Sequence, residues 1–134
     1  MIAVVDTSAF LRLFIPDGDI PHGLEAFFRG VERGDNMAIA PELMLAEAGN
    51  VVNKKRCRGL LTSQESGGLV RLKRSMPVRY ISHGDLIMPA IELAESHALT
   101  VYDALFLALA QKQNVRMFTA DEHLARTAAG LGLS

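Results

Sequence analysis

The stretch Ile2-Ala3-Val4-Val5-Asp6-Thr7-Ser8-Ala9-Phe10-Leu11 decides how this chain folds. A short apolar, β-branched run ends abruptly on a carboxylate and two hydroxyl residues that can open a helix. The run reads as a buried parallel strand that delivers Asp6 to the carboxyl edge of a sheet. In open α/β sheets ligands bind at that edge, so a carboxylate there is a candidate metal or phosphate-chemistry group. Asp is also a favoured helix cap, and Asp6 alone does not choose between the two roles.

Beyond this stretch the chain repeats the same strand-to-helix step. Ser8 to Ile15 has helical spacing and stops at the turn cluster Pro16-Asp17-Gly18-Asp19. A second helix is expected from about Pro21 to Arg33, with Leu24, Phe27, Phe28 and Val31 on its apolar face, broken by Gly34-Asp35-Asn36. Met37 to Ala40 reads as the second strand, and Pro41 as the first residue of a helix reaching about Arg56. On that helix Glu47 falls within or beside the stripe shared with Leu43, Asn50, Val51 and Lys54. A carboxylate there is costly unless it is paired or binds a cation, whereas Glu42 in the first turn is explained by the helix dipole.

Thr62-Ser63-Gln64-Glu65 matches a capping box, with Gly67-Gly68 weakening the helix it opens. Pro77 to Ile81 is the third strand candidate, and Ser82 to Asp85 caps a helix through about His97 that Pro89 is placed to kink. From Ala104 to Ala110 every residue is apolar, the signature of a helix buried on most sides. Asp103 stands at its start, as a site acid or as an N-cap. Asn114 to Phe118 supplies a fourth strand, and Thr119 with Glu122 forms a second capping box, which leaves Asp121 a carboxylate to spare. Gly130 to Ser134 is a candidate short edge strand. The alternation predicts one three-layer α/β/α domain over residues 1–134 with a parallel sheet of four or five strands.

Composition narrows the function. Cys57 is the only cysteine, so no intramolecular disulfide forms and a cytoplasmic, reducing compartment is expected. No apolar run approaches the roughly 20 residues needed to span a bilayer, and the N-terminus runs straight into a strand without a basic region ahead of an apolar core, so neither a membrane nor a secretory signal is expected. The formal net charge of −1 conceals a segregation: eight of the fourteen basic residues fall between Lys54 and Arg79, where Glu65 is the one acid. Lys54, Lys55, Arg56 and Arg58 head that segment and are candidates to hold a polyanion backbone. His22, His83, His97 and His123 lack metal-ligand spacing and read as surface or capping residues. Four carboxylates converging without histidine or cysteine suit hard, oxygen-loving cations, Mg²⁺ or Mn²⁺ rather than Zn²⁺.

On Val5-Asp6-Thr7-Ser8, Pro41 through Glu47 to Asn50, Tyr102-Asp103-Ala104-Leu105 with the apolar helix after it, and Thr119-Ala120-Asp121, the chain resembles the PIN-domain nucleases. It is most similar to the VapC-type toxins of toxin–antitoxin pairs. The resemblance implies metal binding and catalysis by Asp6, Glu47, Asp103 and Asp121, with Ser8 and Thr119 as hydroxyls that orient them. It implies strand order 3-2-1-4-5, a homodimer, and a VapB-like antitoxin that covers the groove. The activity it implies is hydrolysis of RNA phosphodiester bonds by metal-activated water, with no general-base histidine. The alternative is a catalytically silent PIN fold that binds protein or RNA. A haloacid-dehalogenase-type phosphatase would need an acid where Ser8 stands, and a receiver domain would need a phosphorylatable Asp where Ser82-His83 stands.

Overall fold

The computed structural model describes residues 1–15, 18–60, 62, 64 and 78–134. The turn residues Pro16 and Asp17, most of the expected Thr62 capping box, Gly67-Gly68, Arg71, Lys73, Arg74 and Pro77 lie outside the described residues.

Among the described residues, four parallel strands form one sheet in the order β3-β2-β1-β4: β1 (Ile2–Val5), β2 (Met37–Pro41), β3 (Val78–Ile81) and β4 (Arg116–Phe118). β1 lies inside the sheet. Val4 is in register with Ile39 on one side and Met117 on the other, which is why its run can be continuously apolar. Among the described residues six helices connect and follow the strands: α1 (Thr7–Arg12), α2 (Leu24–Arg33), α3 (Leu43–Cys57), α4 (Ile87–His97), α5 (Val101–Gln113) and α6 (Glu122–Gly130).

The connections place the functional edge. From β1 to β2 to β3 the chain steps in one direction across the sheet, then returns past β2 and β1 to lay down β4 on the far side. Right-handed crossovers therefore put α1 to α3 on one face and α4 and α5 on the other. The reversal falls between β1 and β4, and the crevice at the carboxyl ends of those two strands is the topological switch point. Asp6 follows β1 there, and Thr119 follows β4.

Two packing features hold that crevice in shape. α5 carries the apolar run, with Ala104 to Ala110 all buried, and it packs on α4 and across β1, β2 and β4. On the other face a row of rings runs from Phe10 of α1 through Phe28 and Phe27 of α2 to Phe118 of β4, with centroids 5.9, 5.5 and 5.2 Å apart. Each such pair adds roughly 0.5–1.5 kcal/mol beyond its buried area. The row fastens α1, which starts directly after Asp6, to β4, which ends directly before Thr119.

Several boundaries differ from those read in the sequence. Pro41 is the last residue of β2, not the first of a helix; it pairs with Ile81, and the next residue, Glu42, donates its N–H to Ile81 O at 3.0 Å to continue the ladder. Glu42 is thus the N-cap of α3 and not a first-turn residue. Pro89 does not kink α4. It is the third residue, in the first turn, where a backbone N–H has no helical acceptor to lose. A 3-10 turn, Gly84–Leu86, precedes α4, whose N-cap Leu86 offers no side-chain bond.

No fifth strand forms among the described residues. Leu133 O accepts from Met117 N–H at 2.7 Å, covering the edge of β4 once, but Leu133 N–H is already given to Ala128 O as α6 closes. Gly132, at φ +74°, makes the turn that diverts it. No single helix among the described residues is long and apolar enough to cross a membrane.

Candidate active site

Asp6 combines the two roles that its position in the sequence allowed. Its Oδ1 accepts from the Ala9 N–H at 2.8 Å and so caps α1, and the same oxygen accepts from the Ser8 hydroxyl at 2.7 Å. Its Oδ2 accepts from the Thr119 hydroxyl at 2.5 Å. The residue is only 4% exposed. Burial pushes its pKa from the ordinary 3.8 up to about 6; Thr119, the Ala9 N–H and Ser8 pull it down, and the charge of Asp103 pushes it up again. A cap is thereby also a carboxylate fixed in orientation and charged at a cost.

The hydroxyls tie the turn after β1 to the turn after β4. Ser8 Oγ accepts from the Ala120 N–H at 3.0 Å and lies 3.4 Å from Thr119 Oγ1, which in turn accepts from the Asp121 N–H at 3.0 Å. Thr119 is accordingly not the cap of α6. Asp121 is: it takes the extended N-cap backbone, and its Oδ1 accepts from the Leu124 N–H at 2.8 Å. The expected Thr119–Glu122 capping box is replaced because the Thr119 hydroxyl is turned inward to Asp6.

At Asp103 the capping question resolves the other way. Thr100 is the N-cap of α5, accepting from the Asp103 N–H at 3.1 Å, so the Asp103 carboxylate is not spent on capping. Burial, then the neighbouring Asp121, raise its pKa; Thr100 and His123 pull it down. Glu47 is half-buried on α3, and the Thr7 hydroxyl donates to its Oε1 at 2.9 Å.

Asp6, Glu47, Asp103 and Asp121 line one cleft of about 300 Å³ together with Thr7 and Ser8. Leu11, Val51 and Phe106 give it an apolar wall, and Arg12 completes the lining. Among the described residues no three His, Cys, Asp or Glu side chains form a ready-made metal-binding group; the acids share a cleft, with Asp6 and Asp121 engaged as helix caps and one oxygen of Glu47 held by Thr7. An all-oxygen set of this kind is nevertheless matched to a hard divalent cation.

The PIN domain family model matches residues 3–130. The chain belongs to the PIN domain family. Ribonuclease VapC3 of Pyrobaculum aerophilum is 30% identical over 127 residues, 93% of each chain. Two solved structures share the fold of this PIN domain. PAE2754 from Pyrobaculum aerophilum has a TM-score of 0.68 at 19% identity, covering 95% of this chain and 87% of its own. VapC20 of Mycobacterium tuberculosis, described as a Sarcin-Ricin loop cleaving toxin, has a TM-score of 0.68 at 22% identity, covering 96% and 95%.

In this PIN domain, then, all four acids and both hydroxyls read from the sequence meet at the switch point. The basic candidates do not line the cleft. Lys54, Lys55 and Arg56 form the last turn of α3, where they suit the helix dipole, and Arg58 follows it. Lys54 is seven residues beyond Glu47 on the same face, about 10 Å along the axis. Arg56 Nη2 donates to Asn53 Oδ1 at 2.8 Å. Three site residues escaped the sequence reading. Thr7, beside Asp6, carries a hydroxyl that the sequence does not distinguish from that of Ser8. Arg12 is one helical turn beyond Ser8. His123, read as a surface residue, influences Asp103 while its Nε2 lies 2.8 Å from His97 O.

Proposed function

We propose that this PIN domain, one functional unit over residues 1–134, is a Mg²⁺- or Mn²⁺-dependent endoribonuclease that hydrolyses RNA phosphodiester bonds. In this reading it is the toxin of a type II toxin–antitoxin pair in the cytoplasm, works as a homodimer, and is held in check by a VapB-like antitoxin. The observation that carries the reading is Asp6: a carboxylate almost wholly removed from water, charged against its burial and against Asp103, and fixed by three donors in a cleft shared with Glu47, Asp103 and Asp121. Such an arrangement is a standing electrostatic deficit in the protein alone, and a divalent cation offsets it. The name of Ribonuclease VapC3 supports the choice of RNA.

The residues fit the metal by their chemistry. Asp6, Glu47, Asp103 and Asp121 supply hard oxygen donors, and Ser8, Thr119 and Thr7 hold two of the carboxylates through hydrogen bonds. When bound, Mg²⁺ or Mn²⁺ supplies Lewis acidity toward a phosphate oxygen and makes water a nucleophile near neutral pH. Burial raises Asp6 to about 6, so protons compete with a cation for this carboxylate as the solution becomes mildly acid. Ser8 and Thr119 hold its oxygens in place before substrate arrives, so little reorganisation is left for the reaction step. Lys54, Lys55 and Arg56 in the last turn of α3, and Arg58 just after it, hold the RNA backbone beyond the cleft without reading its sequence.

The test is cleavage of a panel of structured RNAs, a sarcin–ricin loop hairpin among them, in Mg²⁺, in Mn²⁺ and in EDTA. Endonucleolytic cutting in either metal and none in EDTA is the expected result. Absence of metal-dependent cutting of every RNA, with binding retained, would assign the fold to the silent binding module instead.

A further inference from the structure

Arg12 is the one cation lining the acid cleft among the described residues, and no carboxylate of a described residue pairs with it. It has no ion pair or hydrogen bond among the described residues, although four acids open onto the same space. Its guanidinium is instead seated against the backbone of Gly18, where a Cβ would collide with Nη1. Gly18, at φ +153°, keeps that seat open. A cation seated against Gly18 and unpaired among the described residues is a poor counter-charge for the cleft acids and a ready receptor for an anion delivered from solution.

The position fixes which anion. Arg12 is four residues after Ser8, whose hydroxyl is 2.7 Å from Asp6, and one helical turn displaces it about 6 Å along α1. That is comparable with the separation of successive phosphates on a single nucleic acid strand. Leu11 and Val51 line the same cleft as the acids and Arg12 and offer a nucleoside an apolar surface and no charge. We propose that Arg12 grips the phosphate next to the scissile one, while Leu11 and Val51 support the intervening nucleoside. Arg12 is then a substrate-positioning residue that sets the strand in register over the carboxylates. This rests on the ribonuclease reading and names a subsite within it.

The experiment uses fluorescein-labelled oligouridylate as the probe and Asp6→Asn protein, which is expected to bind without cutting. Anisotropy over a salt series is compared for this parent and for the parent carrying Arg12→Gln or Arg12→Lys. Arg12→Gln is expected to weaken binding on the order of tenfold and to flatten the slope of log K against log[salt] by about 0.7, the value for one lost single-strand phosphate contact. Arg12→Lys keeps the slope and loses part of the affinity, because charge survives and the planar fork does not. A parent that binds, with Arg12→Gln matching it in affinity and slope, overturns the subsite alone. A parent with no salt-dependent RNA binding brings down the subsite and the ribonuclease reading together. In otherwise wild-type protein, Arg12→Gln should leave Mn²⁺ affinity unchanged. A changed Mn²⁺ affinity with an unchanged salt slope would make Arg12 a counter-charge to the acids and overturn the proposal.

Discussion

Replacing Asp6 with Asn should make the metal-free protein more stable at neutral pH, although it removes the residue on which the site depends. Asp6 is raised from 3.8 to about 6 in the folded state, chiefly by burial. Between about pH 4 and 6 the folded chain therefore holds a proton that the unfolded chain has released, and stability falls as pH rises through that window. Above about pH 6 the whole penalty is present, about 3 kcal/mol; below about pH 4 it is absent. Asn carries no charge at any pH. It keeps an oxygen for the Ala9 N–H and Ser8, but one acceptor of the Thr119 hydroxyl becomes an amide donor, at a cost of about 1 kcal/mol.

The balance is a gain of about 2 kcal/mol at pH 8 without metal, or roughly 5–10 °C in Tm for a domain of this size. The gain should vanish near pH 4–5 and change sign below. Urea and thermal melts in EDTA at several pH values read it directly. In Mn²⁺ the order should reverse, because only the wild type gains from ligand binding to its folded state. If Asp6→Asn melts at or below the wild-type temperature near pH 8 in EDTA, the carboxylate is not under the electrostatic load inferred for it.

Three further expectations separate the roles of neighbouring residues. Glu47→Gln should cost at least tenfold in cleavage, whereas Glu42→Gln, at an exposed N-cap that makes no side-chain bond, should leave it nearly unchanged; equal losses in a kinetic assay would place the site on the wrong face of α3. Thr119→Val removes the donor to Asp6 Oδ2 and the acceptor of the Asp121 N–H, so cleavage should fall roughly 10–100-fold and its acid limb should move to higher pH, since a lost donor raises the carboxylate further. An antitoxin that inhibits by placing an Arg or Lys among Asp6, Glu47 and Asp103 competes with metal; titrating Mn²⁺ into the complex should restore cleavage and weaken partner binding together, and inhibition indifferent to metal would leave steric exclusion as the cause.

Much of this was legible because single residues carried unambiguous physics. Ile2 to Val5 could only be a buried strand, and the unbroken apolar run from Ala104 to Ala110 could only be a buried helix, so the acids beside them were located without a structure. Glu47 announced itself by falling in an apolar stripe. What the sequence left ambiguous were exchanges between equivalent groups. Thr119 and Asp121 are both good caps, and the choice between them depends on the Asp6 oxygen that Thr119 reaches across the sheet, a contact between residues 113 positions apart. Thr100 and Asp103 fit the S/T-x-x-D/E pattern, which would have released Asp103 from its capping role. The missing fifth strand depends on whether Leu133 N–H goes to Ala128 or to a strand, and no local propensity decides that. The significance of Arg12 is relational and so not local in sequence: it lines one cleft with Asp6 of its own element and with acids from three others.

The most direct test joins occupancy to chemistry. Mn²⁺ binding, followed by loss of the free-ion EPR signal, and RNA cleavage rate should be measured in the same preparations of wild type and Asp6→Asn. On this account the wild-type cleavage rate rises in step with bound Mn²⁺, and Asp6→Asn loses both the binding and at least a hundredfold of the rate while remaining folded. Cleavage by Asp6→Asn at the wild-type rate, or wild-type cleavage that persists in EDTA, would contradict it.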